Sequence, residues 1–435
     1  MDLLILSILL FGSLICFLII GVPVAFALAG SAIFFAIYHA GIGGLVAIIS
    51  NVKGVMDNFL LTAIPFFIFM GIVLQKSGVI EEAFDAINKW VGWIRGGLAV
   101  CVILVCTVFA ACTGVAGASV VTMAIVALPE MLRRRYSTTI SLGCIAAGGA
   151  LGVIIPPSVL MIVYGVYTGE SIGQLYAGGL FPGLLLSTSY ICFLLLVGLF
   201  KASSLPRTVV GEVTYKERIL AIKKILIPLL IILLVLGTVF LGVCTPTEAA
   251  ALGASGSLVF ALFSRRLTWS LLKESALSTL VYSCMVTWLI IGGACFSYVC
   301  MLAGIPEAIQ NVVASLQMSK YMVLAIIQVV LFVLGCLMDP GAIIMVTCPI
   351  FVPLVRALGF DTLWYAILFM VNMQMAYLTP PFGFTLFYLK SVLPDIPIHI
   401  IYRGVMPFVC LQAIVLICVI IFPEIALWLP RRLFG

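Results

Sequence analysis

Residues 376–390 read "AYLTPPFGFTLFYLK". Pro380 and Pro381 fall in the middle of an apolar run long enough to cross a bilayer. Proline removes a backbone donor and pushes the residue before it out of the helical region. Lipid penalises any backbone polar group left without a partner. A broken helix at this depth is tolerable only where it is enclosed by protein or lines a polar cavity. The stretch therefore decides what kind of membrane protein the chain encodes.

A membrane setting follows from composition. Of 435 residues, 64% are hydrophobic and 9% charged, and the mean hydropathy is +1.33. No soluble domain of this size buries that much apolar surface. The formal charge of +6 points to no nucleic acid; its meaning lies in where Lys and Arg fall. The fourteen cysteines are scattered through apolar runs with no CxxC spacing, as small hydrophobes in helix contacts. Only two histidines occur, His39 and His399, both at span ends, which removes most metal-site and catalytic-histidine chemistry. No Walker motif is present, so no ATPase is visible. The apolar run 3–20 lacks a basic leader and is followed at once by another span, so it is expected to be retained as the first span.

Apolar runs place spans near 3–20, 22–38, 59–75, 137–167, 177–200, 225–243, 246–264, 279–300, 362–393 and 404–425. The stretches 97–132 and 322–357 are too long for one span and carry turn residues at their centres, "CTGVAGAS" (112–119) and "CLMDPGAI" (336–343). Re-entrant hairpins would place those turns at depth. With both stretches re-entrant and the N-terminus outside, 17 Lys and Arg fall inside. Five fall outside: Lys53, Lys320, Arg356, Arg431 and Arg432.

Self-comparison supplies the evidence for hairpin depth. A shift of 224 residues brings Cys112 onto Cys336, Gly117 onto Gly341, Pro129 onto Pro353 and Tyr164 onto Tyr388. It also brings Pro156-Pro157 onto Pro380-Pro381. Upstream, "VPVAFALAG" (22–30) matches "TPTEAAALG" (245–253), and Gly78 and Glu81 match Gly304 and Glu307. Each half, 1–210 and 211–435, thus carries three spans, a hairpin, a broken span and a final span. Five crossings per half is odd, so the second half is inverted. The expected fold is an all-α polytopic membrane protein of about ten transmembrane spans plus two re-entrant hairpins in two inverted repeats. That is the construction of secondary transporters, with the site at the repeat interface. Interfacial arm helices are expected at 79–95 and 268–277.

Breaking the helices frees carbonyls for a hard cation and leaves positive helix N-termini for an anion. Thr113, Ser119 and Ser158 add hydroxyls near the first break, Thr379 and Thr385 near the second. Asp339 is the one carboxylate expected deep in the membrane, where it would bind a cation or proton; "DPGA" equally fits a helix N-cap followed by proline. Asn372 and Gln374 would meet a substrate or a neighbouring helix. Glu248, three residues after Thr245, reads as part of a capping box.

At these residues the sequence resembles the large membrane subunit of tripartite ATP-independent periplasmic (TRAP) transporters, the DctM-type permease. The resemblance is carried by "PFFIFMG" (65–71), "LPEMLRRRY" (128–136), "GCIAAGGALGVIIPPSVLMIVYG" (143–165), "SIGQLYAGGLFPG" (171–183), "TPTEAAALGA" (245–254) and "LTPPFGFTLFYL" (378–389). It implies sodium-coupled uptake of a small organic anion, a carboxylate or sulfonate, by an elevator-type transporter in the bacterial inner membrane, with both termini periplasmic. A periplasmic substrate-binding protein would deliver the solute, and a small four-span membrane subunit would brace the chain amid membrane lipids. The chain begins directly at the large subunit, so that partner is expected as a separate polypeptide. No enzyme activity and no cofactor beyond the coupling sodium are implied.

Carried over by position, the first sodium site would involve Thr113, Gly114, Gly117, Ser119, Gly152, Ile155, Pro156 and Ser158. The second would involve Met338, Asp339, Gly341, Leu378, Thr379 and Pro380. Substrate contacts would fall to Thr113, Tyr164, Asn372, Gln374, Thr379 and Thr385. Where many relatives have a serine-rich first tip, this chain has "TGVAGAS", which shifts ligation toward Thr113, Ser119 and backbone carbonyls. Two other readings compete: a stand-alone sodium/dicarboxylate symporter or ion antiporter of related fold, and a membrane enzyme, for which neither histidine nor a clustered acid pair is on offer.

Overall fold

The computed structural model describes residues 3–114, 116–201, 204–206, 215–381 and 383–435. The first half runs α1 (Leu3–Ile19), α2 (Val24–Met56), α3 (Ala63–Lys76), α4 (Val79–Val91), α5 (Gly97–Thr113), α6 (Ala116–Arg133), α7 (Thr138–Ala150), α8 (Val159–Thr168) and α9 (Ile172–Phe200). The second half runs α10 (Tyr215–Phe240), α11 (Pro246–Phe263), α12 (Trp269–Leu302), α13 (Ile305–Ser315), α14 (Lys320–Gly335), α15 (Pro340–Ala357), α16 (Thr362–Leu378), α17 (Phe384–Val392), α18 (Ile398–Ile421) and α19 (Glu424–Phe434). Among the described residues there is no strand. Eight helical segments among the described residues are long and apolar enough to cross a membrane by length and composition. The two arms of each long apolar stretch form separate helices, the second arms α6 and α15 being among the eight, and the two pieces of each broken span form shorter ones.

From α1 to α9 and from α10 to α18 the helices follow the same order, and their packing repeats as well. The pair α2 on α12 is matched by α11 on α3, α7 on α18 by α16 on α9, and α6 on α17 by α15 on α8. The two halves therefore interlock rather than stand side by side. Small residues permit it, because close backbone approach is the main source of helix adhesion in an apolar setting. At the α2–α12 crossing a Cβ on Gly292 would lie 2.2 Å from the Ala25 carbonyl oxygen. At the α7–α18 crossing a Cβ on Gly404 would lie 2.2 Å from the Thr139 oxygen, and one on Gly143 2.0 Å from the Gly404 oxygen. The repeat boundary placed at residue 210 lies outside the described residues.

Three elements differ from the sequence expectation. The span expected to end at residue 38 continues to Met56, with one non-helical residue inside it, Gly41 (φ 58°, ψ −145°). The stretch 268–277 is not a separate arm. It is the start of α12, which Thr268 caps by accepting from Leu271 N at 3.1 Å and which runs on to Leu302. Lys273 and Glu274 mark where the helix leaves the apolar zone; both are good helix formers and do not end it. The counterpart of α4 is instead α13. Each follows a left-handed glycine with the same backbone angles, Gly78 and Gly304 (φ 69°, ψ 23°). The third is α19, a short helix past the last expected span.

The capping box at the start of α11 is present. Glu248 N donates to Thr245 Oγ1 at 3.3 Å, and the Glu248 carboxylate accepts from Thr245 N at 2.8 Å. Glu248 is thereby committed to its own helix end. Beside α4, Arg266 bonds both the Glu82 carboxylate and the Ser77 carbonyl, and Lys76 pairs with Glu274 at 2.6 Å. These contacts join α3 and α4 to the loop before α12 and to α12 itself.

Candidate functional site

Both double prolines interrupt a helix. In the first break α7 gives way to a short 3-10 turn, Leu151–Val153, and α8 starts only after an extended Ser158 (φ −115°, ψ 127°). In the second, α16 stops at Leu378, Thr379 is extended (φ −92°, ψ 130°), and α17 begins after Gly383. The peptide bonds Pro156-Pro157 and Pro380-Pro381 are both cis. Each break is laced by hydroxyls. Ser158 Oγ donates to the Val153 carbonyl at 2.7 Å, and Thr385 Oγ1 donates to the Tyr377 carbonyl at 2.8 Å. Thr379 Oγ1 donates to the Met375 carbonyl at 2.8 Å. Carbonyls orphaned by the break thus find donors close to home, as buried backbone groups must.

The hairpin tips meet the breaks. Gly114 closes α5 in the left-handed region (φ 58°), and a Cβ there would lie 2.6 Å from the Pro157 carbonyl oxygen. The tip is thus packed inside the molecule against the first break, as a re-entrant hairpin requires. At the second tip Asp339 caps α15, its Oδ1 accepting from Gly341 N at 2.8 Å. The capping role is therefore real.

A central cavity of about 110 Å³ brings the four pieces together. Gly114 and Ala116 come from the first tip, Val153 and Val159 from the first break, Asp339 and Gly341 from the second tip, Tyr377 and Tyr388 from the second break. The wall opposite is α12, from Tyr282 to Ile290, with Ile68 of α3. Among the described residues Asp339 is the one carboxylate in this lining, which contains no Lys or Arg. First turns of α6, α8 and α15 border the cavity, and so do the ends of α5 and α16. Helix N-termini favour an anion and helix C-termini a cation, so one small space offers both. No cluster of three or more His, Cys, Asp or Glu occurs among the described residues; the side-chain oxygens in this lining are those of Asp339, Tyr282, Tyr377 and Tyr388.

Two more cavities flank the centre. An inner one of about 180 Å³ is bordered by Gln75, Lys76, Thr113, Gly117 and, on α12, Ser278 and Tyr282. A larger one of about 560 Å³ lies toward the other end, bordered by Asn51, Thr168, Arg356 and, on α12, Ser297, Tyr298 and Met301. Helix α12 borders all three.

The sequence-chosen residues divide accordingly. Gly114, Asp339 and Gly341 reach the central cavity, and Thr113 and Gly117 the inner one. Gly152, Ile155, Pro156, Leu378, Thr379 and Pro380 form the breaks, with Ser158 and Thr385 lacing them; Met338 precedes the Asp339 cap. Ser119 Oγ is buried with no hydrogen-bond partner, an oxygen unspent by the fold. Three proposed substrate contacts turn elsewhere. Asn372 Nδ2 donates to the Gln328 carbonyl at 2.8 Å and to Gln328 Oε1 at 2.7 Å, a contact between α16 and α14. Gln374 meets α18 through its backbone carbonyl, which accepts from Gln412 Nε2 at 3.4 Å, and its side-chain amide is buried with no hydrogen-bond partner. Tyr164 is buried against Phe369, ring centroids 5.5 Å apart. None of the three borders the central cavity. Both amides sit on the packing side of α16, which periodicity alone cannot distinguish from the cavity side in a helix buried all round. Sequence reasoning missed Tyr388, the repeat mate of Tyr164, and Tyr282 and Tyr377 beside it.

Comparison with known proteins agrees with this architecture. The family profile described as "Tripartite ATP-independent periplasmic transporter, DctM component" matches residues 11–425. The C4-dicarboxylate TRAP transporter large permease protein DctM of Pseudomonas aeruginosa is 34% identical over 379 residues, covering 87% of each chain. The isethionate TRAP transporter permease protein DctMQ of Oleidesulfovibrio alaskensis is 32% identical over 423 residues, covering 96% of this chain and 65% of that longer one. Among solved structures, the YdaH transporter of Alcanivorax borkumensis superposes with a TM-score of 0.64 over 90% of both chains at 12% identity, a likeness of fold alone. These relatives are permease proteins rather than enzymes. With its profile matched from residue 11 to 425, the chain belongs to the DctM component family of TRAP transporters, a multi-pass membrane permease of organic anions.

Proposed function

We propose that the chain is the sodium-coupled translocation subunit of a bacterial inner-membrane importer for a small carboxylate or sulfonate. The observation that carries this reading is the central cavity, where three helix N-termini, two helix C-termini and the Asp339 carboxylate converge on one small space. An anion placed there takes its countercharge from helix ends and co-bound cations, because no Lys or Arg lines the cavity. Sodium would sit between each tip and its break, held by break carbonyls, Ser119 and Asp339. The interlocked halves, each with a tip against a break, suit inverted repeats that carry the two hairpins and broken helices as one body past a scaffold. The 17-to-5 bias of Lys and Arg supports termini on the periplasmic side. Partners in this reading are a small membrane subunit and a periplasmic binding protein, and the relatives named for C4-dicarboxylate and isethionate supply the substrate class.

Reconstitution tests it. Uptake of labelled succinate or isethionate into proteoliposomes is expected only when a sodium gradient, the small subunit and the cognate binding protein are all present. Robust uptake by this chain alone would instead identify a stand-alone symporter. Asp339→Asn separates cap from ligand, since asparagine caps as well as aspartate. It is expected to leave the melting temperature near that of the parent and to raise the half-activating sodium concentration by about tenfold. Unchanged sodium activation would reduce Asp339 to a cap.

A further inference from the structure

We propose that Arg356 forms a sodium-independent capture site for the carboxylate or sulfonate of the incoming solute, in the 560 Å³ cavity and separate from the central one. The inference rests on the reading above for its sidedness and solute class. Arg356 ends α15 and is exposed. No ion pair or hydrogen bond engages its guanidinium among the described residues. Among the described residues it is the only Lys or Arg bordering this cavity, and no acid borders it. Glu170 and Asp361 border the neighbouring cavity that Arg356 also touches, yet neither pairs with it, and Asp361 is occupied in accepting from Trp364 N at 3.0 Å. A planar guanidinium with five donors and no partner matches a carboxylate or sulfonate in two-point contact.

The opposite cavity sharpens the point. Under the pairing of the halves the inner cavity is the counterpart of this one: α3, α6 and α17 stand there where α12, α15 and α8 stand here. It too presents one cation, Lys76, but Glu274 neutralises it at 2.6 Å. An anion would therefore be attracted at the outer cavity and released without retention at the inner one. The two cavities share helices rather than positions: Gly117 to Val121 border the inner one near the first tip, whereas Cys348 to Ala357 border the outer one at the far half of α15.

The test uses the purified full chain in choline buffer free of sodium, with succinate and isethionate as probes and binding read by saturation-transfer NMR. The parent is expected to bind at least one probe, Arg356→Gln to weaken it by about tenfold or more, and Arg356→Lys to bind between the two, keeping the charge but losing the two-point contact. Absence of binding by the parent, or equal binding by Arg356→Gln, would overturn the proposal. So would an Arg356→Gln variant that loses affinity for the unloaded binding protein while binding both probes normally, which would make Arg356 a protein-docking residue. Failure of sodium-driven uptake in the reconstituted system would sink the coupling mechanism without touching the sodium-free result, so the two readings fail separately.

Discussion

Gly404→Val is expected to lower the melting temperature of the detergent-solubilised protein by on the order of 5 °C, through a loss of about 3 kcal/mol. At the α7–α18 crossing both partners are backbone. A Cβ on Gly404 would stand 2.2 Å from the Thr139 oxygen and 3.1 Å from Gly143 N. A flexible side chain could swing away, but two helix backbones separate only by giving up the packing along their whole length. Gly237→Ala provides the control, because nothing lies within 4 Å of a Cβ there, and replacing a helical glycine favours the helix by about 1 kcal/mol. Differential scanning fluorimetry distinguishes them: a fall for Gly404→Val beside no fall for Gly237→Ala. A Gly404→Val variant that melts with the parent would mean the two helices are not held at this distance.

Gly114→Ala is expected to cut sodium-driven uptake at least tenfold while the protein still folds. Two effects add. The left-handed backbone at Gly114 (φ 58°) costs alanine about 1 kcal/mol, and its Cβ would lie 2.6 Å from the Pro157 carbonyl oxygen. Relief means lifting the tip from the break, which displaces the carbonyls expected to meet sodium. Gly169→Asn is the control in which neither effect operates. Gly169 has a similar φ of 78°, but its Cβ position is open, so asparagine, which tolerates the left-handed region, is accepted there. Uptake by proteoliposomes, normalised to folded protein from size-exclusion chromatography, gives the answer; parental activity in Gly114→Ala would disconnect the tip from transport.

Much of the fold was legible because duplication printed it twice. One double proline is a kink; two at the same shift as Gly117/Gly341 and Cys112/Cys336 define a construction. The helix pairs of the two long stretches and the breaks lie within a few residues of where the repeat marks them. The arm α13 was also marked, by Gly304 and Glu307, yet the charges at 268–277 drew attention to the wrong stretch, because charge reports distance from lipid and not where a helix ends. The site was less legible. Asp339 and Gly114 follow from local chemistry, a cap and a turn. Asn372, Gln374 and Tyr164 sit on helices buried on every side, where polarity does not tell a neighbouring helix from a cavity. The choice between Tyr164 and Tyr388 was undecidable from the repeat itself, since symmetry treats them alike and only packing separates them.

Helix α12 touches the inner, central and outer cavities through Ser278, Tyr282, Met285, Leu289, Ser297 and Met301. From Ser278 to Met301 is about 35 Å of rise, comparable to the roughly 30 Å of bilayer hydrocarbon. One stripe of a single continuous helix thus forms a rail the length of the crossing. On the transport route proposed above, α12 faces the solute at every stage and only the partner opposite it changes, so this wall can stay fixed while the other moves.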